Sequence, residues 1–174
     1  MNSKRKGNKF ERVVAKWLTE WTGYKFERNR AGSGAWHSNK DSISDITCTD
    51  SKHAHRCKIS VECKTYKDIK FEHVILGNKS CDILKFWQQA TNDATRGNRV
   101  PFLCMRYNSM PKGDFFFVFD HKYFEAFSEV TQENHITLHN KEKNFTLEVY
   151  MASSIKEYVD YKKVHKFIKR VLIS

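Results

Sequence analysis

Ile59-Ser60-Val61-Glu62-Cys63-Lys64 alternates apolar and polar residues without a break. A period of two is the signature of a β-strand, on which residues i and i+2 share a face. Ile59, Val61 and Cys63 then point one way, and Ser60, Glu62 and Lys64 the other. A carboxylate and an ammonium therefore project into one space. Asp45 lies in Ile43 to Thr49, the preceding strand candidate, and supplies a second carboxylate. Two carboxylates suit a hard divalent cation such as magnesium, with manganese as a substitute, and a backbone carbonyl, that of Cys63, adds a ligand. Lys64 is placed to orient or activate water, or to stabilise charge growing on a phosphate. Such a set cuts phosphodiesters. Glu-x-Lys on a strand is also the pattern of a solvated face carrying an ion pair. The upstream aspartate, the charge of the chain and a glutamate-bearing helix before it favour the chemical reading.

The chain has 174 residues and a formal net charge of +11. Hydrophobic residues make up 40% and aromatics 14%, which predicts a globular core and not disorder. One domain is expected over 1–174, with a basic arm at 1–7, a catalytic core at 8–107 and a C-terminal extension at 108–174 packed on it. The positive excess points to nucleic acid as partner. No membrane association is expected, because no long apolar run is present. Met1-Asn2-Ser3-Lys4-Arg5-Lys6 is not followed by an apolar stretch, so no secretory signal is expected. Five cysteines without a C-x-x-C pair predict reduced thiols and a cytoplasmic location.

Around the decisive strand the pattern predicts an α/β protein. Asn8 is a candidate helix cap, followed at helical spacing by Phe10, Val13, Val14, Trp17, Leu18 and Trp21, with Gly23 as the stop. Tyr24 to Arg30 reads as a strand, Ala31 to Asp41 as a Gly/Ser loop, and Lys58 to Lys64 as the strand after Ile43 to Thr49. A helix is predicted over Ser80 to Arg96. Strands follow at Val100 to Arg106 and Phe115 to Phe119, then a short helix at Tyr123 to Val130. His135 to Leu138 and Phe145 to Met151 form a candidate hairpin. A basic amphipathic helix over Ser154 to Leu172 closes the chain.

Asp45 and Glu62-Cys63-Lys64 resemble the active-site signature of the PD-(D/E)XK nuclease superfamily, with Ser44 where that pattern often has proline. From Gly7 to Lys64 the chain is more specifically similar to the archaeal-type Holliday junction resolvases and their phage relatives. The matching features are Glu11 on the first helix, Arg30-Ala31-Gly32-Ser33-Gly34, the aspartate, and the Glu-x-Lys strand. The resemblance implies a restriction-endonuclease-like mixed β-sheet flanked by helices, here with a C-terminal hairpin and helix. It implies a magnesium-dependent endonuclease of branched DNA. Two equivalent cuts suit a two-fold homodimer. A nuclease of linear duplex or DNA ends and a silent DNA-binding module are the alternatives. A nucleoid-associated enzyme, phage-encoded and acting in a host cytoplasm, fits the same resemblance.

Other residues carry two readings. Glu11 is a catalytic candidate by the resemblance, yet its spacing from Asn8 is that of a capping box. Arg28, Arg30, Ser33 and Lys40 surround the Gly/Ser loop and suit phosphate contacts, as do Lys4, Arg5 and Lys6. The alternative is a solvated loop for the first four, which the charge of the chain disfavours, and a disordered arm for Lys4, Arg5 and Lys6. Cys48, His53, His55 and Cys57 carry zinc-ligand chemistry at a spacing that matches no common finger. Gln88 or Gln89 occupies the helix where some superfamily members hold a glutamine near the site. Lys162, Lys163, Lys166, Lys169 and Arg170 make the last helix an outer DNA contact or a solvated face.

Overall fold

The structure, a computed structural model, describes residues 3–29, 44–76, 81–141 and 144–173. Helix α1 spans Ser3–Thr22. It starts five residues before Asn8, which corrects two expectations: residues 3–7 of the basic arm are the first turns of a helix, and Asn8 is interior rather than a cap. Phe10, Val14, Trp17, Leu18 and Trp21 are buried as one stripe, and the helix runs on ahead of it to Ser3. Tertiary packing drives such a helix, and it carries weak formers such as Gly7 and Asn8 with it. Gly23 ends it as predicted: its φ is +74° and its N–H donates to the Thr19 carbonyl at 3.0 Å.

The strands are β1 Phe26–Arg28, β2 Ile46–Cys48, β3 Ile59–Tyr66, β4 Val100–Tyr107, β5 Phe116–Asp120, β6 His135–Asn140 and β7 Phe145–Met151. They form one seven-stranded sheet in the order β1-β2-β3-β4-β5-β7-β6. β3 and β4 are parallel and every other pair is antiparallel. The parallel pair needs a crossover. α3, Asp82–Arg96, supplies it and stops at Gly97. A four-residue helix, α2 (Glu72–Ile75), precedes it and has no periodic signal in the sequence. The β6–β7 hairpin is present in the predicted place. β1 and β2 have only three residues each, shorter than the alternation implied.

Helices cover both faces of the sheet. On one, α1 packs with the helices Ala152–Tyr158 and Tyr161–Ile173 over Val61, Phe102, Phe115, Phe117, Phe119 and Tyr150. On the other, Ile83, Leu84 and Trp87 of α3 lie over Leu103, Met105, Val118, Leu147 and Val149. This is the mixed sheet flanked by helices of the restriction-endonuclease-like class. The segment His121–Val130 is a 3₁₀ helix with a kink at Phe127, not an α-helix.

The terminal helix expected over Ser154 to Leu172 is two helices, α4 Ala152–Tyr158 and α5 Tyr161–Ile173. Val159 is extended, and the Asp160 carboxylate accepts the Lys162 N–H at 2.9 Å, a helix cap. α1 fastens this break. Trp17 Nε1 donates to the Ala152 carbonyl at 3.1 Å, and Trp21 Nε1 donates to the Val159 carbonyl at 2.8 Å. Both contacts are buried. They tie the first helix to backbone more than 130 residues away.

Candidate active site

β3 carries the site because its two faces meet different surroundings. Ile59, Val61 and Cys63 pack toward α1. Glu62 and Lys64 face α3, whose Gln89 accepts a hydrogen bond from Lys64 Nζ at 2.9 Å. The face is not solvated: Glu62 is 4% exposed and Ser60 3%. Lys64 Nζ lies 2.5 Å from Glu62 Oε1 and 5.5 Å from the centre of the Phe86 ring. The ion pair of the plain-strand alternative therefore exists, but in a buried setting, where an ion pair has to repay desolvation.

Asp45 reaches the same place from a bend just before β2. Its N–H donates to the Val61 carbonyl at 3.1 Å and its Oδ2 accepts the Cys63 N–H at 2.8 Å. The N–H and C=O of one strand residue open on the same edge. The Cys63 carbonyl thus faces the Asp45 side, away from β4. Ser44 completes this edge. Its hydroxyl accepts the Val61 N–H at 2.8 Å and donates to the Val61 carbonyl at 2.9 Å. Proline, with no side-chain polar group, would leave that N–H without its partner. Asn29 adds a clamp, donating its backbone N–H to the Asp45 carbonyl at 2.8 Å.

The electrostatics are those of carboxylates short of positive charge. Burial first, reinforced by the nearby Asp45 and opposed by Lys64, raises Glu62 to about 7. Asp45 is raised for the same first reason, burial, which the Cys63 hydrogen bond and Lys64 partly offset and Glu11 and Asp93 reinforce. Asp93 of α3 acts on both groups. It was not singled out from the sequence. Nothing in its spacing from Glu62 signals that the crossover helix turns it toward β3.

Glu11 sits on α1 near Asp45 and is paired with Arg28 of β1, both partly buried. The capping-box reading lapses with the helix start. Arg28, expected at a phosphate, has its guanidinium on Glu11. Arg5 and Lys6 are on the first turns of α1, as is the backbone of Lys4. Arg30, Ser33 and Lys40 lie outside the described residues. Gln88 is bonded to Asn92 at 2.9 Å, so Gln89 is the glutamine that meets the site.

Among the described residues no three His, Cys, Asp or Glu side chains form a metal cage. At the turn between β2 and β3, His53 is bound to Asp50 at 2.7 Å and stacked on Tyr24, while Cys48 and Cys57 touch each other as free thiols. In the site, the donor set is two carboxylates and a carbonyl. All are oxygen atoms, which suits a hard divalent ion. The upward shift of both carboxylates means that added positive charge there is favourable. The residues present fit a divalent metal.

This fold and site define a PD-(D/E)XK nuclease. The model of the family described as Phage putative PDDEXK endonuclease matches residues 2–168, and the chain belongs to that family. Nucleases of this class are generally dependent on a divalent metal. The chain matches no curated protein and no solved structure. None of the described helices is long and apolar enough to cross a membrane.

Proposed function

We propose that this chain is a magnesium-dependent DNA endonuclease that resolves four-way junctions as a homodimer. Its proposed metal ligands are Asp45, Glu62 and the carbonyl of Cys63, with Glu11 as a further carboxylate from α1. The observation that carries the chemistry is the convergence of Asp45 and Glu62 beside Lys64 on β3, with Glu62 buried. Asp45, Glu62 and the Cys63 carbonyl would hold a divalent ion, which when bound would supply positive charge against the phosphate and lower the pKa of the attacking water. Lys64, steadied by Glu62 and Gln89, donates to a non-bridging phosphate oxygen as charge grows on it. The Asp45–Cys63 hydrogen bond holds the first carboxylate in place, so little reorganisation is needed at the moment of reaction. Manganese substitutes for magnesium. Lys4, Arg5, Lys6, Arg30, Ser33 and Lys40 are the proposed contacts to the DNA backbone, with Arg28 acting through Glu11.

The junction rests on the resemblance around Glu11, Arg30 to Gly34, Asp45 and Glu62-Cys63-Lys64, and on the match between two-fold symmetry and two equivalent cuts. A phage-encoded enzyme working in a host cytoplasm is consistent with the family. The test is one panel of substrates, with magnesium and with EDTA: four-way junction, flap, plain duplex and single strand. The junction should be bound over excess duplex and nicked in two opposed strands at symmetric positions. A monomer that cuts linear duplex as readily would leave the nuclease standing and overturn the resolvase.

A further inference from the structure

The cations of α5 fall into two stripes. Lys163 is paired with Glu129, and Arg170 lies 3.3 Å from Glu125. Both glutamates belong to the 3₁₀ helix His121–Val130, so that side of α5 is neutralised within the chain. Lys162, Lys166 and Lys169 stand at i, i+4 and i+7, one face of a helix. All three are exposed, and among the described residues none has a carboxylate partner. Arg56, exposed on the turn between β2 and β3, joins them; its guanidinium donates to His55 Nε2 at 3.1 Å, and among the described residues it has no carboxylate partner.

The turn and the helix are held together from beneath. Tyr24 stacks on His53 of the turn, with centroids 4.3 Å apart and planes 8° from parallel. The same ring meets Tyr161 of α5 edge-on at 5.6 Å and His165 at 6.3 Å. His165 feels both sets of cations. Burial lowers its pKa first, and the charges of Lys169, Arg56 and His53 lower it further. Concentrating like charge in this way costs stability unless a polyanion neutralises it.

We propose that Lys162, Lys166 and Lys169 of α5, with Arg56 of the β2–β3 turn, form a second contact surface for the phosphate backbone of DNA, away from the catalytic carboxylates. The proposal rests on the nuclease function proposed above and extends its footprint. The distance is suitable. From Glu11 to Trp21 along α1 is about 15 Å, and Trp21 touches Tyr161 at the start of α5, with ring centroids 5.1 Å apart. One turn of duplex is about 34 Å long. The separation between the site and this surface is therefore shorter than one turn of duplex.

The test uses the full chain and a labelled duplex of about 30 bp, with affinity measured in calcium across a range of sodium chloride concentrations. The variants are R56A/K166A/K169A and, from the neutralised stripe of the same helix, K163A/R170A. Each lost phosphate contact flattens the plot of log affinity against log salt by about 0.9. The first variant should flatten it by about 2 to 3 and keep the wild-type cleavage rate in magnesium at saturating DNA. The second should leave the slope within about 1 of wild type. Circular dichroism melts check that both remain folded. A wild-type slope in the first variant, or an equal loss in the second, overturns the proposal while leaving the nuclease intact. A wild-type chain that binds no DNA at low salt overturns both.

Discussion

Asp45 Oδ2 accepts the backbone N–H of Cys63 at 2.8 Å, and Cys63 is the residue between Glu62 and Lys64. One hydrogen bond thus links the three side chains of the proposed site. It sets the first carboxylate against the strand that carries the second. It also competes with burial, because it favours the charged form of Asp45 while desolvation disfavours it.

The metal-free protein should lose stability as pH rises. Glu62 is raised from 4.5 to about 7 in the folded chain, so the native state binds the extra proton between those values. Stability falls with pH wherever the folded state holds more protons than the unfolded state. The contribution is whole below about 4.5 and lost by about 7. Melting in EDTA across this window should show the decline, E62Q should flatten it, and magnesium should raise the melting temperature most above pH 7. An E62Q curve with the same slope as wild type would assign the decline to other groups.

Glu11 and Arg28 should behave as a unit. Both are partly buried, so removing one leaves the other uncompensated. In urea, E11Q and R28A should be non-additive, with a coupling of about 1 kcal/mol. E11Q should also slow cleavage at least about tenfold if the carboxylate serves the site. Normal cleavage with a measurable coupling would make the pair purely structural.

W21F should destabilise the chain through the α4–α5 break. The indole N–H donates to the buried Val159 carbonyl, and phenylalanine leaves that oxygen unpaired. A loss of about 1 to 3 kcal/mol in urea unfolding is expected, with cleavage at saturating metal unchanged. An unchanged midpoint would mean that water takes the place of the indole.

The decisive strand was legible because its period of two is local: Glu62 and Lys64 share a face whatever else the chain does. Gly23, the β6–β7 hairpin and α3 were legible for the same reason. Features that depend on long-range packing were not. The start of α1 at Ser3 lies more than a turn ahead of Asn8, which does not mark it. Short β1 and β2 follow from Ser44 and Asn29 completing the edge with side chains. Gln89 was named from resemblance, but Asp93, one turn along the same helix, gave no signal until α3 was laid on β3. The break before α5 had a local sign, Asp160 as a cap, masked by the continuous apolar spacing around it.

The most direct measurement is the magnesium-dependent cleavage rate of wild type beside D45N, E62Q and K64A, with DNA affinity measured in calcium on the same preparations. Wild type should cut only with magnesium or manganese, and EDTA should stop it. Each variant should lose at least about 100-fold in rate while still binding DNA, because each removes a metal ligand or the charge that meets the phosphate. Wild-type cleavage by K64A, or full activity in EDTA, would contradict the account.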